Sequence, residues 1–207
     1  VAGWIACPVA RGQGRGDAMK NAMRAVLLWS VLWLTACSHS SFDPPERSGP
    51  IGLVDTGNGK QAWLATIQEE ERSRNVGGGS RSVGKWVTES YYHLRLQAHD
   101  PATAQRLWLK ELKLLRDKDG GMSAEIRILG QQGEVVWVWV HDQVLALSAR
   151  DGSLVADRST LEQANPGLQG LVPDELKFHT FIGALVVTLA DARRMRIEVP
   201  GFKATPY

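Results

Sequence analysis

Past residue 50 the chain runs in short apolar stretches broken by Gly, Asp, Asn and Pro. Tyr92, Leu94, Leu96 and Ala98 alternate with His93, Arg95, Gln97 and His99, and Ala124, Ile126 and Ile128 alternate with Glu125 and Arg127. A period of two is that of a strand with one face buried. Val135 to Val140 reads VVWVWV, apolar at every position. Such a run of strand-forming residues predicts a strand inside a stack, covered on both faces. Further strands are expected at 51–54 and 62–67, from Trp86, around Trp108, and at 144–147, 154–155, 178–181, 184–189 and 195–199.

The turns between them have their own chemistry. Asn58-Gly59 signals a two-residue hairpin loop. Glu69-Glu70-Glu71-Arg72 reads as the charged end of a strand, and the Gly- and Ser-rich 75–84 as a surface loop. That loop lacks the Lys-Ser/Thr and following helix of a phosphate cradle. In His99 to Ala104, Pro101 sets φ and Asp100 can bond nearby amides. Ser159 and Glu162 have capping-box spacing, and Pro173 can open a helix, so short helical turns are expected near 159–164 and 173–177. The fold class is all-β, built from antiparallel sheets.

The first fifty residues follow another logic. Met19-Lys20-Asn21-Ala22-Met23-Arg24 precedes Ala25 to Ala36, a run of 12 residues in which only Ser30 and Thr35 are polar. A positive segment before a short apolar one is a secretory signal, too short to span about 30 Å of hydrocarbon. Leu34-Thr35-Ala36-Cys37 then resembles the lipobox of bacterial lipoproteins. The resemblance implies cleavage before Cys37 and a lipid on its thiol. Residues 1–18 are expected to be a leader upstream of the true start at Met19, and 19–36 the signal peptide. Residues 37–50, polar with three prolines, are expected to be a disordered tether, and 51–207 the folded domain. Ser38 after the cysteine points toward the outer membrane, facing the periplasm.

Cleavage changes the charge. Arg11, Arg15, Lys20 and Arg24 leave with Asp17, so the net +2 becomes −1 over the remaining 171 residues. A near-neutral chain has no electrostatic footprint for nucleic acid. The two cysteines are Cys7, in the leader, and Cys37, so a mature chain lacks a disulfide and depends on its apolar core.

A strand–turn–strand unit recurs. HLRLQAH leads into DPATAQRLW from Asp100, and VWVHDQVLAL leads into SARDGSLVA from Ser148, with starts 48 residues apart. A tighter third copy is ALVVTLADARRMRIE. The first two resemble the blade repeat of quinoprotein-type β-propellers. Asp100, Thr103, Leu107 and Trp108 match in the first, with Ala104 in place of glycine. Ala146, Leu147 and Gly152, the last after Asp151, match in the second, with Ser148 in place of the aspartate and Ala156 in place of tryptophan. In that family the glycine permits the turn and the tryptophan packs between blades. Residues 51–207 have room for about three blades, whereas propellers close with about four to eight. The resemblance therefore implies a partial β-propeller whose open edges could pair with another copy.

No candidate chemistry competes with this. His93 and His99 could share a strand face, but no ligand set with zinc spacing accompanies them. Asp117, Asp119 and Gly120 lack the rest of a calcium loop and read as a hairpin turn. No Gly-x-Ser-x-Gly is present, and Arg193, Arg194 and Arg196 read as a solvated face. Lipobox and blades together look like the outer-membrane protein assembly lipoproteins, propellers that bind partners by loops and edges. The expected function is thus a binding or scaffold module, not an enzyme, with no cofactor. Its partners are the bilayer through Cys37 and an envelope protein. A quinoprotein dehydrogenase relative, or an inert truncated propeller, is the alternative.

Overall fold

The computed structural model describes residues 38–76 and 84–207. These form three antiparallel sheets and one short α-helix. The signal segment and Leu34, Thr35, Ala36 and Cys37 lie outside the described residues, as does most of the Gly-rich loop.

The first sheet is built on β4 (Lys60–Val76) and β5 (Lys85–His99), with β6 (Arg106–Arg116) beside β5. On its other side β4 pairs with β1 (Ser38–Phe42), β2 (Glu46–Arg47) and β3 (Gly52–Asp55). The second sheet is a meander of β7 (Ile126–Gln132), β8 (Val135–Val140), β9 (Gln143–Ser148) and β10 (Leu154–Ala156). The third is a meander of β11 (His179–Phe181), β12 (Leu185–Thr188), β13 (Arg194–Glu198) and β14 (Lys203–Pro206). No sheet closes on itself. The helix α1 (Arg158–Ala164) and short 3₁₀ turns link the second and third sheets.

The VVWVWV run sets the layering. All six residues of β8 are buried. Alternate side chains point to opposite faces of a strand. Val136, Val138 and Val140 pack with Trp63, Leu94 and Leu96 of the first sheet. Val135, Trp137 and Trp139 pack with Leu185, Val187 and Ile197 of the third, and with Leu161 of α1. The second sheet is therefore the middle layer. Each fully buried Val, Leu or Ile contributes about 1.5–3 kcal/mol relative to exposure. Polar links add to the first interface: Asp55 N donates to Gln131 Oε1 at 2.8 Å, and Gln131 Nε2 donates back to Asp55 O at 2.6 Å.

Several expectations are corrected. Residues 38–50 are not a free tether: Ser38–Phe42 lies along β4 in register Ser38↔Arg74 to Phe42↔Glu70, and Glu46–Arg47 pairs with it too. Backbone pairing to a long, otherwise open strand offsets their polar composition. Glu69 to Arg72 does not end a strand, since β4 continues to Val76 opposite β5. An in-strand pair, Arg72 on Glu70 at 2.7 Å, and cross-strand pairs, Arg74 on Glu89 at 3.6 Å and Ser73 on Thr88 at 2.8 Å, hold this charged stretch. The β3–β4 loop spans four residues, closed by Thr56 N donating to Gly59 O, not two. Asp117 to Gly120 is not a hairpin: its 3₁₀ turn starts the crossing from β6 in the first sheet to β7 in the second. Asp157, not Ser159, caps α1, accepting from Thr160 N at 2.9 Å. The second helical turn falls at Leu176–Phe178.

Candidate functional site

The two clear copies of the repeat fold alike. Asp100 N donates to Gln105 O at 2.9 Å, and Ala104 N to Asp100 O at 2.8 Å. Forty-eight residues on, Ser148 N donates to Ser153 O and Gly152 N to Ser148 O, both at 2.8 Å. The left-handed position coincides as well, at φ +57° for Ala104 and +65° for Gly152. In each turn an aspartate holds the loop. Asp100 accepts from the amides of Ala102 and Thr103, and Thr103 Oγ1 from Gln105 N. Asp151 accepts from the Ser153 amide and hydroxyl. These donors favour the charged form. The Thr103 and Ala102 amides hold Asp100 below the usual carboxylate range, and the Ser153 amide brings Asp151 to about 2.

The third copy is one residue shorter. Leu189 N donates to Arg193 O at 2.8 Å, with Ala192 at φ +68°. It joins the second and third strands of its sheet, whereas the first two copies lead into the last strand of theirs.

Trp108 packs between Trp63 of its own sheet and the turn that follows β9. It stands edge-on to the fully buried Trp63, with centroids 4.9 Å apart. Its six-membered ring covers Gly152 in the next sheet, where an added Cβ would come within 2.7 Å of the ring. Of the sequence-matched residues, Trp108 and Gly152 thus meet between two layers, while Asp100 and Thr103 hold the β5–β6 turn and Asp151 holds the turn at Gly152. Leu107 lies on the outer face and is 48 % exposed.

A second cluster on the outer face of the first sheet escapes sequence reading. His93 of β5 is buried between two carboxylates on neighbouring strands. Its Nε2 lies 2.9 Å from Glu70 Oε2 of β4, and its Nδ1 2.5 Å from Glu111 Oε2 of β6. Each ring nitrogen therefore faces a carboxylate from a neighbouring strand. Arg72 completes the group, and its hydrogen bond is the main cause that lowers Glu70 to about 2, helped by His93 against the effect of burial. Phe42 leans over the imidazole at 5.8 Å. The cluster is saturated by its own partners and clamps β4, β5 and β6 together. The only hint in the sequence is polarity at 93 on an alternating strand.

The other singled-out residues go separate ways. His99 Nδ1 donates to Ala104 O, while His93 bonds the glutamates, so the two share no ligand. His141 sits in the β8–β9 turn at φ +57°, and Asp142 pairs with Lys113. His179 packs on Trp139 at 4.9 Å, and burial lowers its pKa. Arg193 pairs with Asp191, Arg196 with Glu198, and Arg194 lies over the Tyr207 ring. Among the described residues no group of three His, Cys, Asp or Glu is placed to hold a metal.

A cleft of about 510 Å³ opens between Arg158, Val172, Glu175, Phe178 and Leu189, with no buried polar convergence. The outer face of the first sheet is broader, and carries exposed Leu53, Leu107, Leu109 and Leu114 around its charged centre. No known protein family, curated protein or solved structure matches this chain at a significant level.

Proposed function

We propose that this chain is a lipid-anchored scaffold module of the bacterial cell envelope, held at Cys37 and built of about three blade-like sheets of a partial β-propeller. The observation that carries the blade reading is the pair of matching turns at Asp100–Gln105 and Ser148–Ser153, with Trp108 of one sheet seated on Gly152 of the next. This is the role the repeat's glycine and tryptophan have between blades. The anchoring reading rests on the positive segment, the apolar run and Leu34-Thr35-Ala36-Cys37.

The surface for a partner is the outer face and open edge of the first sheet. Its last strand, β6, carries Leu107, Leu109 and Leu114 exposed, together with Arg106, Lys110, Lys113 and Arg116. Basic residues on an edge strand discourage indiscriminate pairing. An edge so guarded and still apolar fits a chosen partner, an envelope protein or a second copy. The test is crosslinking in intact cells followed by detergent extraction and pull-down. The reading expects a discrete adduct that Leu109→Glu abolishes while the fold is kept. A chain that stays uncrosslinked and monomeric in extracts contradicts it.

A further inference from the structure

The β4–β5 ribbon outruns the core. The last buried side chain of β4 is Glu70, and Glu71–Val76 continues against 85–90 with no buried side chain on either strand. At about 3.3 Å per residue these six residues extend roughly 20 Å. The end of this ribbon has its own chemistry. Trp86 is 53 % exposed and Val76 is 39 % exposed. Arg72, Arg74 and Lys85 are exposed too, and the sequence has no acid between Glu71 and Glu89. Trp86, opposite Asn75, occupies one face of the ribbon. Lys85, opposite Val76, and Arg74, opposite Val87, occupy the other. Arg74 is shared with Glu89 at 3.6 Å, and Lys85 makes no ion pair among the described residues.

The described chain begins at this end. Ser38 is in register with Arg74, two positions from the Val76↔Lys85 pair. Ser38 is bonded to Cys37, and consecutive Cα atoms are about 3.8 Å apart. Ser38, the residue that follows Cys37 in the chain, therefore lies beside the ribbon end, not on the far side of the stack. We infer that the end of the β4–β5 ribbon, with Trp86, Lys85 and Arg74, docks on an anionic lipid surface and fixes the orientation of the anchored protein. The inference rests on the anchoring at Cys37 proposed above. An indole settles at the boundary of headgroups and acyl chains, and basic side chains are drawn to anionic headgroups. A patch of this kind beside a lipid chain supplies the second membrane signal. It leaves the β6 edge of the first sheet free for a partner.

The test takes the full chain as membranes yield it and places it on brominated-lipid vesicles. One set is phosphatidylcholine alone and the other equal parts phosphatidylcholine and phosphatidylglycerol. On the anionic vesicles, bromine should quench a component of tryptophan fluorescence that Trp86→Phe lacks. Lys85→Gln and Arg74→Gln should each lower the docked-to-undocked ratio about fivefold. All three positions are exposed, so the fold should survive each change. Trp86 fluorescence left unquenched, or quenched equally without phosphatidylglycerol, overturns the inference. The mass of the same preparation separates the two ideas. An acylated Cys37 with unquenched Trp86 leaves the anchor standing and removes the docking. An unmodified Cys37 with quenched Trp86 does the reverse.

Discussion

The indole of Trp108 occupies the space a side chain at Gly152 would need: a Cβ there would lie 2.7 Å from its Cη2. One residue is in the first sheet and the other follows β9 in the second, so this contact fixes how the two layers meet. Gly152 is also at φ +65°. Gly152→Ala meets both obstacles. It should destabilise the protein by about 2–4 kcal/mol, from the left-handed backbone and from overpacking. Denaturant unfolding followed by tryptophan fluorescence measures it.

The partner residue gives the converse. Trp108→Ala removes the edge-on contact with Trp63 and opens a cavity above Gly152. Since Trp108 is only half-buried, the loss should be about 3 kcal/mol, at the low end for such truncations. In the double variant with Gly152→Ala the two costs should not add, because the side chain that clashes is gone.

Ala104 holds in the first copy the conformation Gly152 holds in the second, at φ +57°. Ala104→Gly relieves the left-handed penalty at a position that is exposed. It should stabilise the protein by about 0.5 kcal/mol, the net of that relief and the greater freedom of an unfolded glycine. Opposite signs at 104 and 152 would identify the two turns as one motif with different residues at the same site.

Glu70 makes the fold sensitive to acid. Its carboxyl is brought to about 2 from 4.5 by Arg72 first and His93 next. A carboxylate depressed in the folded state contributes stability that is present above its unfolded pKa and lost as pH falls through the folded one. The contribution should therefore fade between about pH 4.5 and about pH 2. Glu70→Gln should flatten the stability-against-pH curve over that interval and lower its neutral plateau. The difference between the two curves isolates Glu70 from the other depressed carboxylates.

At α1, Asp157 accepts from the amide and hydroxyl of Thr160 and from the hydroxyl of Ser159. Asp157→Ala should cost about 1 kcal/mol, as for other N-caps. Ser159→Ala should cost less, which distinguishes this cap from the one that Ser159 and Glu162 would form.

What could be read from the sequence was local. VVWVWV needs no context to say that both of its faces are covered, and both are. The turn at Asp100 is encoded within six residues, so its frame followed from Asp, Pro and Thr in order. The misread strands needed a neighbour strand. Glu69 to Arg72 reads as a strand end because its charges oppose burial, yet β1 and β5 supply the partners that let β4 run on. Ser38 to Phe42 has no apolar side to announce a strand, and its pairing comes entirely from the backbone of β4. The Glu70–His93–Glu111 clamp unites residues 23 and 18 apart in sequence, and only the register of three strands brings them together. The strand β14 was missed because Lys203–Pro206 has no alternation of its own and is carried by β13.

The central claim is the anchor at Cys37, and the mass of the mature chain tests it most directly. The account predicts that residues 1–36 are absent and that Cys37 is the first residue, carrying a diacylglyceryl group on its thiol. A cellular protein that retains the residues before Cys37, with that thiol unmodified, would contradict it.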